Sequence, residues 1–287
     1  MANRKVVSFD FAIKYLLRQK DNFEILEGFL TALLDEPIEV LDIIENETEL
    51  LKENRLDLMI RDSKDRRMIV EIQHGSEANY LERMVFETSK ILVDNLDKGK
   101  YYFDMVKVIS INISYFNLGE GDGYVYKGGP KFNDMNETNT EKARLKYPTE
   151  KLPEYYIIRT NKFKNVVKTA LDEWIYMFKN NEIREEADTK GISLAKEKLD
   201  ILKMDENQKR EYDKFINNHR VSNSVLASAT AEGEEQGRKK GLKQGKEKGA
   251  KEKAIEIAIN LLDILDDETI ALKTKLPLKE IQKLRKE

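Results

Sequence analysis

The stretch RLDLMIRDSKDRRMIVEIQH, residues 55–74, constrains the fold of this chain more than any other. Two apolar runs flank a polar turn, DSKD, and each run alternates with the period of two that a β-hairpin requires. Leu56, Leu58 and Ile60 fall on one face of the first run, with Asp57 and Met59 on the other. In the second run Ile69, Glu71 and Gln73 share a face, and Met68, Val70 and Ile72 oppose them. A turn centred on Lys64 pairs residues equally far from it, so Asp57, seven before, meets Glu71, seven after. Directly opposed residues have Cβ atoms about 5 Å apart, and two like charges there are destabilising, more so when buried. Protonation of one carboxyl or a bound divalent cation would offset the cost. Paired carboxylates with water suit Mg²⁺, Mn²⁺ or Ca²⁺. The plain alternative is a register slipped by one or two residues, with both acids on a solvated face. Gln73, on the face of Glu71, could orient a water or a phosphate oxygen.

The neighbouring segments read as a mixed α/β sheet. NFEILEGFLTALL (22–34) places Phe23, Leu26, Leu30, Leu33 and Leu34 at helical spacing and stops before Asp35, Glu36 and Pro37. IEVLDIIENETEL (38–50) is strand-like. ANYLERMVFETSKILVDNL (78–96) predicts a long helix with Leu81, Val85, Ile91 and Leu92 on its apolar side and Gly99 just beyond its end. VKVISINISYF (106–116) is a near-continuous apolar run, the pattern of a strand buried on both faces. The glycine-rich, polar sequence between Asn117 and Lys151 predicts hairpins and loops, and YYIIRTNKF (155–163) a further strand. Residues 1–165 are expected to form this domain. From Val166 onward no strand is expected: residues 166–231 read as a helical region, 232–253 as a charged linker or helix, and 254–287 as a small helical unit.

Lys and Arg total 50 against 53 Asp and Glu, so overall charge does not argue for a polyanionic partner. The absence of cysteine excludes disulfides and zinc-thiolate sites and fits a reducing compartment. The N-terminal MANRKVVSFDFAIKYLL has no apolar core of a signal segment, and no run approaches the roughly 20 apolar residues that span a bilayer. A soluble, cytoplasmic chain with no membrane partner is expected. With two histidines there is little basis for a serine–histidine site, and His74 falls by alternation on the face opposite Glu71, where it reads as structural.

Glycine recurs at 233, 237, 241, 245 and 249. At four-residue spacing on a 3.6-residue helix it advances about 40° per step, winding round the axis. Residues 232–253 carry eight Lys or Arg against five Asp or Glu. A flexible linker, a helix whose glycines admit a close partner helix, and a basic arm tracking a nucleic-acid strand all fit. DDETIALKTKLPLKEIQKLRK (266–286) has the look of a short helix-turn-helix, with Asp266 or Asp267 as a cap and Pro277 opening a second helix. A plain helical hairpin for self-association fits slightly better, because the unit is very short.

The order helix, three-strand meander carrying D then E-x-Q, helix, strand resembles the core of the PD-(D/E)XK nuclease superfamily. More narrowly it is similar to the Rpn group of recombination-promoting nucleases, often labelled PD-(D/E)XK family transposases. FDFAIKYLL (9–17), LDLMIRD (56–62), VEIQH (70–74), ERMVFETSKIL (82–92), the segment ending NKF (163), AKEKLDILKMDENQKREYDKF (195–215) and the glycine tail follow in that order. The resemblance implies Asp57 and Glu71 as catalytic, metal-binding acids, Gln73 in the position of the superfamily's catalytic lysine, and Asp10 as an N-terminal acid joining the metal site. It further implies a divalent cation, Mg²⁺ first, a DNA substrate, and in-line hydrolysis leaving a 3′-hydroxyl and a 5′-phosphate. Glutamine departs from the pattern, since it cannot carry the lysine's positive charge. Lys14, one turn after Asp10, could substitute or contact a DNA phosphate, and Arg83 could also reach phosphate; the bland reading of both is an ordinary surface cation. The expectation is a metal-dependent DNA endonuclease of the recombination-promoting or transposase type, self-associating through its C-terminal helices. The alternative is a catalytically weak DNA-binding or regulatory chain that keeps the fold.

Overall fold

A computed structural model describes residues 3–44, 57–96, 101–135 and 151–285. A short strand, β1 (Arg4–Lys5), leads to α1 (Phe9–Phe11), where the Ser8 hydroxyl accepts from the Phe11 N–H as an N-cap. The helix widens at once into a π-helical turn, Ala12–Leu16. Next comes α2 (Phe23–Leu34), ended by Asp35 in the left-handed region at φ 55°.

The main sheet has six strands: β2 (Val40–Ile43), β3 (Leu58–Asp62), β4 (Arg67–Gln73), β5 (Val108–Ser114), β6 (Val125–Gly128) and β7 (Glu154–Arg159), in the order β2-β3-β4-β5-β7-β6. β2, β3 and β4 form an antiparallel meander, β4, β5 and β7 run parallel, and β6 closes the edge antiparallel to β7. Parallel neighbours need a crossover, and α3 (Tyr80–Asp94) supplies it between β4 and β5. In the hairpin Leu58 faces Val70, Met59 faces Ile69 and Ile60 faces Met68, the register centred on Lys64. The Asp62 carboxylate pins that turn by accepting from the N–H groups of Lys64 and Arg66 and from the Arg66 guanidinium. Leu56 and the second half of the run 38–50, like Gly99, lie outside the described residues.

Two further helices, α4 (Ala170–Asn180) and α5 (Ile192–Lys198), pack with α1 and α2 on one face of the sheet. Leu58, Ile60, Val70, Ile111 and Ile113 meet an aromatic cluster there. In it the rings of Phe9 and Phe178 stack at 4.2 Å, and Phe29 meets Phe178 edge-on at 4.9 Å. This core therefore runs past residue 165, as buried Trp174 and Phe178 show. The other face, under α3, holds a smaller cluster of Ile44, Met59, Ile69, Ile91 and Val108. Every residue of β5 is buried, in keeping with its continuous apolar pattern.

Two expectations are corrected. A strand does follow Val166: β8 (Glu182–Ile183) pairs antiparallel with β1, too short to leave a periodic trace. The buried face of α3 is Tyr80, Met84, Glu87, Thr88 and Ile91, whereas Leu81 and Val85 are 44% and 47% exposed. The cause lies beneath it. On β5 this face of the sheet presents Ser110, Asn112 and Ser114, beside Glu71 on β4. A polar floor calls for partners such as the Tyr80 hydroxyl, which donates to Asn112 Oδ1 at 3.1 Å.

The chain divides into two compact units, Met1–Asn218 and His219–Glu287, and the boundary falls within α6 (Glu206–Leu261). The five regularly spaced glycines lie in this helix, and nothing among the described residues comes within 4 Å of where a side-chain carbon would project from any of them. In the second unit α7 (Asp267–Thr274) and α8 (Leu278–Leu284) fold onto the helix end around Ala258, Ile270, Leu276 and Ile281. Asp266 caps α7, accepting from the Thr269 N–H at 2.9 Å, and Pro277 precedes α8. Among the described residues no helix is long and apolar enough to cross a membrane.

Candidate active site

Asp57 stands one residue before β3, and the hairpin register carries it opposite Glu71. The two are joined reciprocally: the Asp57 N–H donates to Glu71 Oε1 at 3.1 Å, and the Ile72 N–H donates to Asp57 Oδ2 at 2.8 Å. Each carboxyl is thereby oriented by the backbone of the opposite strand. They open into a pocket lined by Lys14, Asp57, Glu71, Ile72, Gln73, Glu77, Arg83 and Glu87.

Three elements build this pocket. The hairpin supplies the opposed acids. The N-terminal helical segment supplies Lys14, whose Nζ lies 2.8 Å from Asp10 Oδ1 and 3.3 Å from Asp57 Oδ1. Farther along that segment, Arg18 donates to the Asp57 carbonyl oxygen at 2.8 Å. The third element, α3, supplies Arg83, which pairs with Glu77 at 3.2 Å and Glu87 at 2.9 Å and stacks over the Tyr80 ring at 5.2 Å. Arg83 also donates to Gln73 Oε1 at 3.4 Å, while Gln73 Nε2 donates to the Gly75 carbonyl oxygen at 3.1 Å.

Of the residues singled out from sequence, Asp57, Glu71, Gln73, Lys14 and Arg83 come together around one pocket. Asp10 is buried and reaches the pocket through Lys14; its other carboxyl oxygen lies 3.5 Å from His74 Nε2. The His74 ring stacks on Tyr115 at 4.3 Å. Sequence reasoning passed over Glu77 and, more consequentially, Glu87. Beside Arg83 at four-residue spacing it reads as half of an ordinary surface ion pair, yet it is only 5% exposed. The available signal was its place between Met84 and Ile91 on the buried stripe of α3.

The electrostatics are those of a crowded acidic site. Burial pushes the Glu71 carboxyl well above the usual carboxylate range, and the charges of Asp57 and Glu87 push it further. Burial also raises Glu87, against the opposing pull of Arg83. For Lys14, burial alone would lower the ammonium pKa, but Asp57 and Asp10 together raise it. Around the pocket four carboxyls, of Asp57, Glu71, Glu77 and Glu87, face two cations, Lys14 and Arg83, a formal excess of two negative charges. The carboxylates are hard oxygen donors, with no thiolate anywhere in the chain. Such a crowded set of oxygen donors fits a hard divalent cation.

A mixed sheet entered by an antiparallel meander, with two opposed acids at the hairpin and a helix crossing above them, is a restriction-endonuclease-like core. The family described as PD-(D/E)XK nuclease family transposase matches residues 7–229. The chain belongs to that family. No curated protein and no solved structure matches it.

Proposed function

We propose that the chain is a divalent-metal-dependent DNA endonuclease of the recombination-promoting, transposase-labelled type. The observation that carries this reading is the Asp57–Glu71 pair, opposed across a buried hairpin in a pocket where four carboxyls face two cations. Asp57 and Glu71 would hold the ion, with Mg²⁺ the first candidate and Mn²⁺ or Ca²⁺ the others. When bound, such a cation lowers the pKa of a water and neutralises charge on the phosphate. Gln73 would orient a water or a phosphate oxygen, and Arg83, on the rim, would receive the phosphate as it enters. The reading also includes a cytoplasmic setting and self-association through the C-terminal helices.

The test is plasmid cleavage by the purified chain with Mg²⁺, Mn²⁺, Ca²⁺ or EDTA, with Asp57→Ala and Glu71→Ala beside it. Nicking or linearisation is expected with Mg²⁺ or Mn²⁺ alone and is expected to vanish in both variants. Cutting that persists in EDTA rejects metal dependence. No cutting with any ion leaves the alternative, a DNA-binding or regulatory chain that keeps the nuclease fold.

A further inference from the structure

Resting on that reading, we infer that Lys14 supplies the positive charge Gln73 lacks, as a catalytic residue touching the reacting phosphate, and that Asp10 is its positioning residue and not a ligand of the ion. Asp10, Lys14 and Arg18 recur every four residues through the N-terminal helical segment and the turn after it, and each engages its neighbour or Asp57. Asp10 holds Lys14 at 2.8 Å, Lys14 reaches Asp57 at 3.3 Å, and Arg18 ties down the Asp57 carbonyl at 2.8 Å. Lys14 lies in the π-helical turn Ala12–Leu16, a rare geometry that collects at functional sites. Its side chain is 37% exposed, whereas those of Asp10 and Asp57 are 6% and 15% exposed. A surface lysine balancing a solvated acid would not sit so. This one projects from a buried carboxylate into the pocket shared by Asp57, Glu71 and Gln73.

One Asp10 oxygen lies 2.8 Å from Lys14 Nζ and the other 3.5 Å from His74 Nε2, and Asp10 is not among the residues lining the pocket. Its work is done one bond back from the site. In the reaction a water oxygen bonds to phosphorus as the P–O3′ bond breaks. The water's proton passes to solvent, and the departing 3′ oxygen takes one up. Negative charge grows on the phosphoryl oxygens between those events, and a fixed ammonium beside Asp57 stabilises it. Loss of one preorganised donor of this kind costs about 10²–10³ in rate.

The test measures single-turnover cleavage of duplex DNA by the full chain with Mg²⁺, and Mn²⁺ affinity by titration calorimetry. Lys14→Gln is expected to slow cleavage at saturating DNA at least 100-fold while Mn²⁺ affinity holds or tightens. Adding Gln73→Lys, which returns an ammonium to the same pocket, is expected to restore at least tenfold. Asp10→Asn is expected to slow cleavage at least tenfold with Mn²⁺ affinity intact, whereas Asp57→Asn loses that affinity. Cleavage by Lys14→Gln within threefold of wild type, no rescue by Gln73→Lys, or loss of Mn²⁺ affinity in Asp10→Asn overturns the assignment. Asp10→Asn decides alone should Lys14→Gln fail to fold. A wild-type chain that fails to cut with Mg²⁺, Mn²⁺ and Ca²⁺ alike rejects the nuclease reading and this assignment with it.

Discussion

Glu71 shows what one residue costs and what it enables. It is buried beside Asp57 and Glu87, and in the absence of an ion its charge is opposed by burial and by both neighbours. Glu71→Gln removes the charge but keeps an oxygen to accept from the Asp57 N–H. Without metal this variant is expected to melt higher, by roughly 2–4 °C if about 1 kcal/mol of repulsion is relieved. It is also expected to lose the melting-point rise that Mn²⁺ gives the wild type, and at least 100-fold in cleavage. Scanning calorimetry with and without Mn²⁺, beside plasmid nicking, checks all three; a lower metal-free melting point would show that the pair is not repulsive. At this scale much of the site was legible. Alternation and a polar turn suggested Asp57 opposite Glu71 but left a register slipped by one or two residues open, and the observed pairing of Leu58 with Val70 decides between them. The meeting of Lys14 with Asp57 was not legible, since no local rule brings residue 14 to residue 57.

Among the elements, α3 illustrates how periodicity misleads. Of the expected apolar side, Leu81, Val85, Ile91 and Leu92, only Ile91 is fully buried, and Leu81 and Val85 are exposed while Glu87 and Thr88 turn inward toward a sheet face that carries Glu71, Ser110, Asn112 and Ser114. The consequence is measurable. Ile91→Ala, at a fully buried position, is expected to cost about 2–4 kcal/mol. Leu81→Ala, 44% exposed, is expected to stay within about 0.5 kcal/mol of wild type. Urea denaturation of the two variants decides it, and equal losses would show that Leu81 packs as fully as Ile91 does. A second element carries a pH signature. At the start of α4 the buried Asp172 carboxylate accepts from the Tyr124 hydroxyl at 2.6 Å and from the N–H groups of Lys168 and Thr169 at 2.9 Å each. Burial alone would raise its pKa, but those donors hold it below the ordinary 3.8. A depressed folded pKa gives stability that is present above the unfolded value and lost as pH falls through the folded one. Asp172→Asn is therefore expected to melt below wild type at pH 6, with the gap narrowing toward pH 3. A gap that is constant with pH would mean the carboxylate charge contributes nothing.

At the scale of the whole molecule, the proposed site draws on residues 10–87, all within the first compact unit. A chain ending at Ser224 is accordingly expected to keep metal-dependent cutting at saturating DNA. It omits residues 232–253 and their excess of three positive charges, eight against five. Each phosphate neutralised contributes about 0.9 to the slope of log K against log salt, so binding is expected to weaken and the slope to fall by up to about 2.7. Filter binding across a salt series reads this, and a folded truncation that cannot nick at any DNA concentration would show that the tail takes part in the chemistry. The division into units was only partly readable from sequence, because the core borrows Trp174 and Phe178 from beyond the last long strand. The glycines of α6 have a consequence in time as well as in space. Each costs about 1 kcal/mol relative to alanine in a helix interior, so the stretch from Gly233 to Gly249 gives up roughly 5 kcal/mol, and among the described residues no neighbour packs on those positions. Opening there is cheap, so its amide hydrogens should exchange with solvent orders of magnitude sooner than those of β5, and a protease should find this stretch first.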